Sequence, residues 1–274
     1  MDYIVAGAPQ SGTTWISLCL EEHPECYIPK HEEIHFFDWH YEKGKEWYYS
    51  LFDDAGDEQV KIDVCPHYMY VNDIRQKINN VLPEAKVVFI LRDPIKRAYS
   101  HYCNSLRNGR VSRRIDEELH MDSKYIKKGE YSRPIRKISN QFETRVFIFE
   151  KMVESNEKFI KSIYRYIGVD QNVHTKWIDN KVNHRKKNVN SYLQDLSFAI
   201  SSFLGGFEVG GKVIKKIRYS GMLEPIYEII GSDYPKISDC KFQKLKQHFQ
   251  GETDFINKNY NVNSRKYWLN SKPS

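Results

Sequence analysis

Apolar residues follow two rhythms along this chain. Short apolar runs at Tyr3–Ala6, Val60–Val64, Lys86–Leu91 and Val146–Phe149 suit strands buried in a parallel sheet, with Cys26-Tyr27-Ile28 as a shorter one. Between them, apolar positions recur at three- and four-residue spacing. Helices are expected from Thr13 through Leu20, over Tyr41–Phe52, from about Asn72 to the stop at Pro83, from Pro94 through Leu106, and over Glu157–Ile167. Two more solvated helices are expected over Asp116–Lys128 and Pro134–Phe142. Strands alternating with helices predict an α/β fold, its mainly parallel sheet covered on both faces. After Asp170 the strand pattern fades, and Ser191–Phe203, Leu223–Ile230 and Lys241–Phe249 read as helices joined through a Gly-rich loop at residues 205–211. One domain over 1–274 is expected, with an α/β core over 1–170 and a mainly helical C-terminal region over 171–274.

Charge changes the picture by being uneven. Residues 21–63 carry 13 acids against 4 lysines, whereas 96–145 carry 13 Lys/Arg against 6 acids and 181–218 carry 8 against 2. A basic lobe facing an acidic one suits an anionic ligand between them, although solvated helix faces account equally well for any single lysine. No nucleic-acid-binding module accompanies the basic stretches, so nucleic acid is not an expected partner. No apolar run is long enough to span a bilayer, and no leader is expected ahead of the first strand. The expectation is therefore a cytoplasmic protein without a membrane partner. Cys19, Cys26, Cys65, Cys103 and Cys240 are scattered and odd in number, which fits reduced, packed thiols. Neither they nor the ten histidines show metal-ligand spacing, so no metal is expected.

The chemistry-bearing stretch begins where the first strand ends. Gly7-Ala8-Pro9-Gln10-Ser11-Gly12 is a Gly-bounded loop entering a helix at Thr13, Thr14 and Trp15. Such a loop aims backbone N–H groups at one point, where the helix dipole also favours an anion. Its spacing resembles the phosphate loop Gly-x4-Gly-Lys-[Ser/Thr], but Thr13 stands at the lysine position, which disfavours a nucleoside-triphosphate kinase. A second anion feature, Arg92-Asp93-Pro94 through Ser100, leaves another buried strand, where a fixed guanidinium can grip phosphate bidentately. Ligands of such sheets bind beyond the carboxyl ends of the strands, so the exits at Gly7–Trp15, Asp63–Tyr68 and Arg92–Ser100 should converge. Between the first two lies Lys30-His31-Glu32-Glu33-Ile34-His35-Phe36-Phe37-Asp38. It follows neither period and is read as an ordered loop with polar groups among aromatics.

Pro-x-Ser-Gly-Thr-Thr-Trp, Arg92 with Ser100, and Glu33-Ile34-His35-Phe36-Phe37-Asp38 followed by Tyr41 and Trp47-Tyr48 together resemble the sulfotransferases that use 3′-phosphoadenosine 5′-phosphosulfate (PAPS). The similarity is strongest to the heparan-sulfate-type branch and its bacterial relatives. It covers about residues 3–170, with an echo at Tyr260–Leu269. The resemblance implies a P-loop-type three-layer sandwich and transfer of a sulfuryl group to a hydroxyl, less often an amine, of a sugar or small natural-product acceptor. It assigns Gln10, Ser11, Gly12, Thr13 and Thr14 to the 5′-phosphosulfate, Trp15 to the adenine, and Arg92 and Ser100 to the 3′-phosphate. Glu33 would be the general base, while His35, Asp38 and His67 would orient it or touch the acceptor; His67 and His101 are alternative bases.

Two departures stand out. Gln10 occupies a position that is usually basic, and Val64, before Cys65-Pro66, replaces a second lysine of the heparan-sulfate-type branch. Lys30, Lys61 or the run Arg185-Lys186-Lys187 is the expected substitute, with Arg185 assigned to the cofactor. A family member that binds the nucleotide without efficient transfer is the alternative these departures raise.

Overall fold

The structure, a computed structural model, describes residues 2–29, 33–57, 59–108, 110–111, 114–179, 188–189, 231–232 and 234–268. Five strands form the central sheet: β1 (Tyr3–Gly7), β2 (Cys26–Tyr27), β3 (Val60–Val64), β4 (Lys86–Leu91) and β5 (Thr144–Ile148). They lie in the order β2-β3-β1-β4-β5, and every pairing is parallel. The mainly parallel α/β architecture expected from the strand and helix rhythms is thus present.

Successive strand residues face opposite sides, and the two apolar cores show it directly. Ile4, Ala6, Val87, Phe89, Leu91, Val146 and Ile148 enter one core. Tyr3, Val5, Ile62, Val64, Val88, Ile90 and Phe147 enter the other. The first is covered by α4 (Ile74–Val81) and α8 (Ser132–Ser139), the second by α1 (Thr13–Glu21) and α10 (Asn156–Ile167). Three layers result. A third core joins α5 (Pro94–Arg107) to the C-terminal helix α11 (Asp239–Tyr260) through Tyr99, Tyr102, Phe242, Leu245 and Phe249.

Several elements differ from the sequence expectation. Tyr41–Phe52 is a 3₁₀ turn over Tyr41–Lys43 followed by α3 (Gly44–Ser50), because Gly44 at φ 81° interrupts the helix. The helix expected over Asp116–Lys128 is two short ones, α6 (Ile115–Glu118) and α7 (Lys124–Lys127). Ser123 starts the second by accepting the Ile126 N–H, and Ile115, Tyr125 and Ile126 are buried rather than solvated. Helix α11 runs 22 residues, well beyond Lys241–Phe249 at its C-terminal end. A four-residue turn, α2 (Phe36–Trp39), begins inside the expected loop, and α9 (Phe149–Glu154) follows β5 directly. The last described helix is α12 (Ser264–Trp268). Two two-residue strands, β6 (Asn188–Val189) and β7 (Gly231–Ser232), pair antiparallel. The helices expected over Ser191–Phe203 and Leu223–Ile230 lie outside the described residues.

Candidate active site

Strand order alone brings the three exits together. β1 lies between β3 and β4, so the residues after Val64, Gly7 and Leu91 emerge side by side. Backbone bonds tie them: Cys65 N–H donates to Val5 O at 3.1 Å, and Ala8 N–H to Ile90 O at 2.7 Å.

The loop after β1 ends at Gly12, the N-cap of α1, with φ 82°. No side chain caps α1 and its first turn holds no acid, so its leading amides keep their donor capacity for an anion. The Ser11 hydroxyl is fully buried and has no hydrogen-bond partner among the described residues. Gln10 also sits at positive φ, 70°, a backbone strained for any side chain but glycine's. It joins the two anion features: its carbonyl accepts from Arg92 Nη1 at 3.0 Å, and its Oε1 accepts from the Ser100 hydroxyl at 3.1 Å. The Arg92 guanidinium lies over the Phe149 ring, 4.6 Å from its centre. Asp93 and Pro94 begin α5 as their sequence dictates, Asp93 Oδ1 accepting the Ile95 and Lys96 N–H groups.

At the β3 exit a carboxylate is surrounded by histidines. Glu33 Oε2 lies 3.1 Å from His35 Nε2 and 3.3 Å from His67 Nδ1, and accepts from the Cys65 thiol at 3.9 Å. His35 Nδ1 meets Asp38 Oδ2 at 2.8 Å, so both ring nitrogens face carboxylate oxygens. His35 holds φ 53° at the start of α2, a left-handed conformation that turns its ring back onto Glu33. Trp39 stacks flat on that ring, with centroids 3.7 Å apart and planes 9° from parallel, yet is 68% exposed. Glu33, His35, Asp38 and His67 are therefore brought together, as Gln10, Arg92 and Ser100 are at the neighbouring exit.

Other expected residues fall elsewhere. Trp15 is buried in the core beneath the sheet and its indole N–H donates to Trp177 O at 2.6 Å, so its ring has no open face for an adenine. Thr13 is buried and Thr14 exposed at the helix start. Lys61 stands four residues before Cys65, about 13 Å back along an extended strand, too far to serve the exit. Burial, with Arg97 and nearby lysines adding to it, lowers His101 to about 3, which makes it a weak base. Lys30 and Arg185-Lys186-Lys187 lie outside the described residues.

Sequence reading missed three residues. Asp63 points into the apolar face of β3, fully buried, and accepts the hydroxyls of Tyr48 and Tyr68 at 3.0 Å each. Burial raises its carboxyl to about 7 against the pull of those two hydroxyls. Tyr68 in turn accepts the Phe36 N–H at 2.9 Å, which fixes the turn that carries His35. An acid at an inward position of an alternating strand was the available signal. Cys65 joins the carboxylate cluster, and its thiol is pushed up by burial and by the surrounding acids. Trp39, next to Asp38, is the third.

An uncapped loop–helix junction at the end of the central strand of a parallel sheet places the molecule among α/β proteins of P-loop type. The sulfotransferase-domain family model matches residues 1–212, and the chain belongs to that family. Human heparan sulfate glucosamine 3-O-sulfotransferase 6 is 31% identical over 103 residues, 38% of this chain and 30% of that protein. The membrane-associated sulfotransferase kil1 of Dictyostelium discoideum is 31% identical over 109 residues, 39% of this chain and 23% of its own length. The matched stretch is thus less than a third of either relative. A sulfotransferase crystal structure from Alicyclobacillus acidocaldarius shares the fold, with a TM-score of 0.58, 19% identity, and coverage of 78% of this chain and 94% of that one. The sulfotransferase domain of the curacin biosynthetic pathway aligns with 90% of this chain and 96% of its own at a TM-score of 0.51 and 11% identity.

Proposed function

We propose that the protein transfers a sulfuryl group from PAPS to a hydroxyl, less favourably an amine, of a glycan or small natural-product acceptor, releasing adenosine 3′,5′-bisphosphate. The observation that carries this reading is Glu33, set between two histidines at the β3 exit, one strand spacing from an uncapped loop–helix junction. The buried Ser11 hydroxyl, lacking a protein acceptor or donor among the described residues, fits an anion at that junction. Bound PAPS supplies the activated sulfuryl group. The amides at Gly12–Thr14 and the Ser11 hydroxyl hold its 5′ end, while Arg92 and Ser100 hold the 3′-phosphate. Gln10, bonded to both of the latter, locks the two cradles at a fixed separation. Glu33 takes the acceptor's proton as its oxygen attacks sulfur in line, and the bisphosphate departs with the bonding electron pair. His35, clamped by Asp38, holds the carboxylate in place, and His67 faces the acceptor. Positioning and charge stabilisation supply most of the rate.

The glycan is the favoured acceptor because Trp39 offers an open aromatic face beside the base, and amphipathic rings pack well on such a face. The heparan sulfate enzymes among the relatives point the same way. No helix among the described residues is long and apolar enough to cross a membrane. The buried, scattered thiols of Cys19, Cys26, Cys65 and Cys103 suit a reducing compartment, and we place the protein in the cytoplasm.

Glu33→Gln tests the assignment: transfer of labelled sulfate from PAPS is lost, while calorimetry shows adenosine 3′,5′-bisphosphate binding nearly unchanged. Wild-type turnover in that variant removes Glu33 from the base role, and preference for ATP over the bisphosphate ends the reading altogether. A second reading, nucleotide binding with slow transfer, is favoured by Gln10 and by Val64, whose side chain is buried in the apolar core. Absence of transfer to a panel of glycans and phenols, with the bisphosphate still bound, would select it.

A further inference from the structure

The cluster at the β3 exit has a second chemical capacity. Glu33, His35, Cys65 and His67 each offer one donor atom, and those atoms lie within 4.8 Å of one another. Zinc takes nitrogen and oxygen donors at about 2.0–2.2 Å and thiolate at about 2.3 Å, in a tetrahedron. The edges of such a tetrahedron are about 3.3–3.5 Å between nitrogen and oxygen donors and about 3.6 Å from sulfur. Glu33 Oε2 lies 3.1 Å from His35 Nε2, 3.3 Å from His67 Nδ1 and 3.9 Å from Cys65 Sγ. Cys65 Sγ lies 3.5 Å from His35 Nδ1, the ring nitrogen bonded to Asp38, so the thiol sits against the His35 ring rather than at Nε2 itself. Glu33 Oε2 thus has the two nitrogens at close to tetrahedral-edge distance and the sulfur a few tenths of an ångström beyond it, and small side-chain shifts within the 4.8 Å cluster would close the set around an ion.

The surroundings suit an ion as well. Asp38 accepts from His35 Nδ1 at 2.8 Å, which leaves Nε2 turned to Glu33 and reproduces the carboxylate–histidine–metal arrangement that fixes ring orientation in metal sites. Cys65 is held rigidly, its backbone N–H bonded to β1. Glu33 and His67 are partly open, at 29% and 41% side-chain exposure, which gives an entry path. Two imidazoles, a thiolate and a carboxylate form a borderline-soft set that prefers zinc-class ions over magnesium or calcium.

We propose that these four residues bind a zinc-class divalent cation in a closed tetrahedral site, and that the bound ion switches off transfer by occupying Glu33. The Cys65 thiol gives its proton to solvent on binding, and Glu33, now a ligand, no longer accepts one from the acceptor. The loop cradle, one strand away, is untouched. The inhibitory half rests on Glu33 as the base; the binding half does not.

Cobalt(II) is the probe. Titrated into the chelator-treated full chain, it should give the intense visible bands of tetrahedral cobalt and a thiolate charge-transfer band, saturating at one equivalent and bleached by zinc. Cys65→Ser should lose the charge-transfer band while still binding adenosine 3′,5′-bisphosphate, which confirms that it folds. Asp38→Asn, which keeps all four donors, should weaken zinc about 10- to 100-fold. Zinc should inhibit sulfate transfer by the wild type without altering its bisphosphate affinity. Weak six-coordinate cobalt spectra, or equal zinc affinity in wild type and Cys65→Ser, overturns the site and leaves the Glu33 assignment standing. A tetrahedral cobalt spectrum with transfer undiminished overturns the inhibition and Glu33 as base together, while the site stands.

Discussion

Gly12→Ala should weaken nucleotide binding through a side chain that never touches the nucleotide. Gly12 has φ 82° and ψ 14°, where an alanine costs roughly 1–2 kcal/mol, partly offset by about 0.4–1 kcal/mol from a stiffer unfolded chain. A Cβ there would also stand 2.8 Å from Met152 Cε and 3.1 Å from Phe149 Cε2. The methionine tip swings away, but the Phe149 ring must shift by a few tenths of an ångström, at the roughly 1–3 kcal/mol typical of overpacking. That ring carries the Arg92 guanidinium at 4.6 Å, a contact worth about 0.5–2 kcal/mol. Moving it also disturbs the bond from Arg92 to the Gln10 carbonyl. Gly168 supplies the control: its φ 84° and ψ 24° are nearly the same, and nothing lies within 4 Å of its would-be Cβ. Urea unfolding should show Gly168→Ala losing about 1 kcal/mol and Gly12→Ala about 2–4 kcal/mol. Calorimetry with adenosine 3′,5′-bisphosphate should show about tenfold weaker binding for Gly12→Ala alone, about 1.4 kcal/mol. Equal stability losses in the two variants, or wild-type affinity in Gly12→Ala, would refute the coupling of loop to guanidinium.

Gln10→Lys should raise the turnover number, on the order of a hundredfold if the missing cation limits transfer. It should also weaken bisphosphate binding several-fold, since the Ser100 hydroxyl loses a bond worth about 1 kcal/mol; unchanged turnover would show that another residue supplies the charge. Trp39→Ala should raise the KM for a glycan acceptor about 2- to 12-fold, from roughly 0.5–1.5 kcal/mol of lost ring contact, with the KM for PAPS unchanged. An unaltered acceptor KM removes the platform role. Glu150 is held above its ordinary 4.5, by burial first, against the N–H donations of Asp93 and Trp268. The fold thus binds that proton more tightly than the unfolded chain, so this contribution is fullest below pH 4.5 and fades as pH rises through the raised value. The stability of wild type relative to Glu150→Gln, followed by urea unfolding, should decline as pH rises above 4.5 and through the raised value; a constant difference contradicts the assignment.

The sheet was legible because its strands carry their own punctuation. Lys86–Leu91 is apolar throughout and ends at Arg-Asp-Pro, and the structure begins and ends β4 at those residues. The loop between β1 and α1 was legible for the same reason, its glycines and helix start being local in sequence. Trp15 was not: the motif placed it by a ligand, whereas Trp177, far along the chain, takes its N–H. Helix α11 extends past Phe249 because Thr253 and Ile256 find burial against other elements, which the local pattern does not reveal. The cage around Glu33 joins residues 33–38 to 65–67, and only the pairing of β3 with β1 brings Cys65 to the strand exits. Metal-ligand spacing along the chain could not disclose it.

The Glu150 carboxylate takes the Asp93 N–H at 2.9 Å and the Trp268 indole N–H at 3.0 Å, so it fastens the N-cap of α5 to helix α12. The family model stops at residue 212, yet Ile256, Val262 and Trp268 fill the same core as Ile4 and Phe89. An expression fragment trimmed to the matched span would expose that interior to water and strand a carboxylate oxygen beside Asp93. Any fragment that keeps this core closed must therefore retain the chain through Trp268.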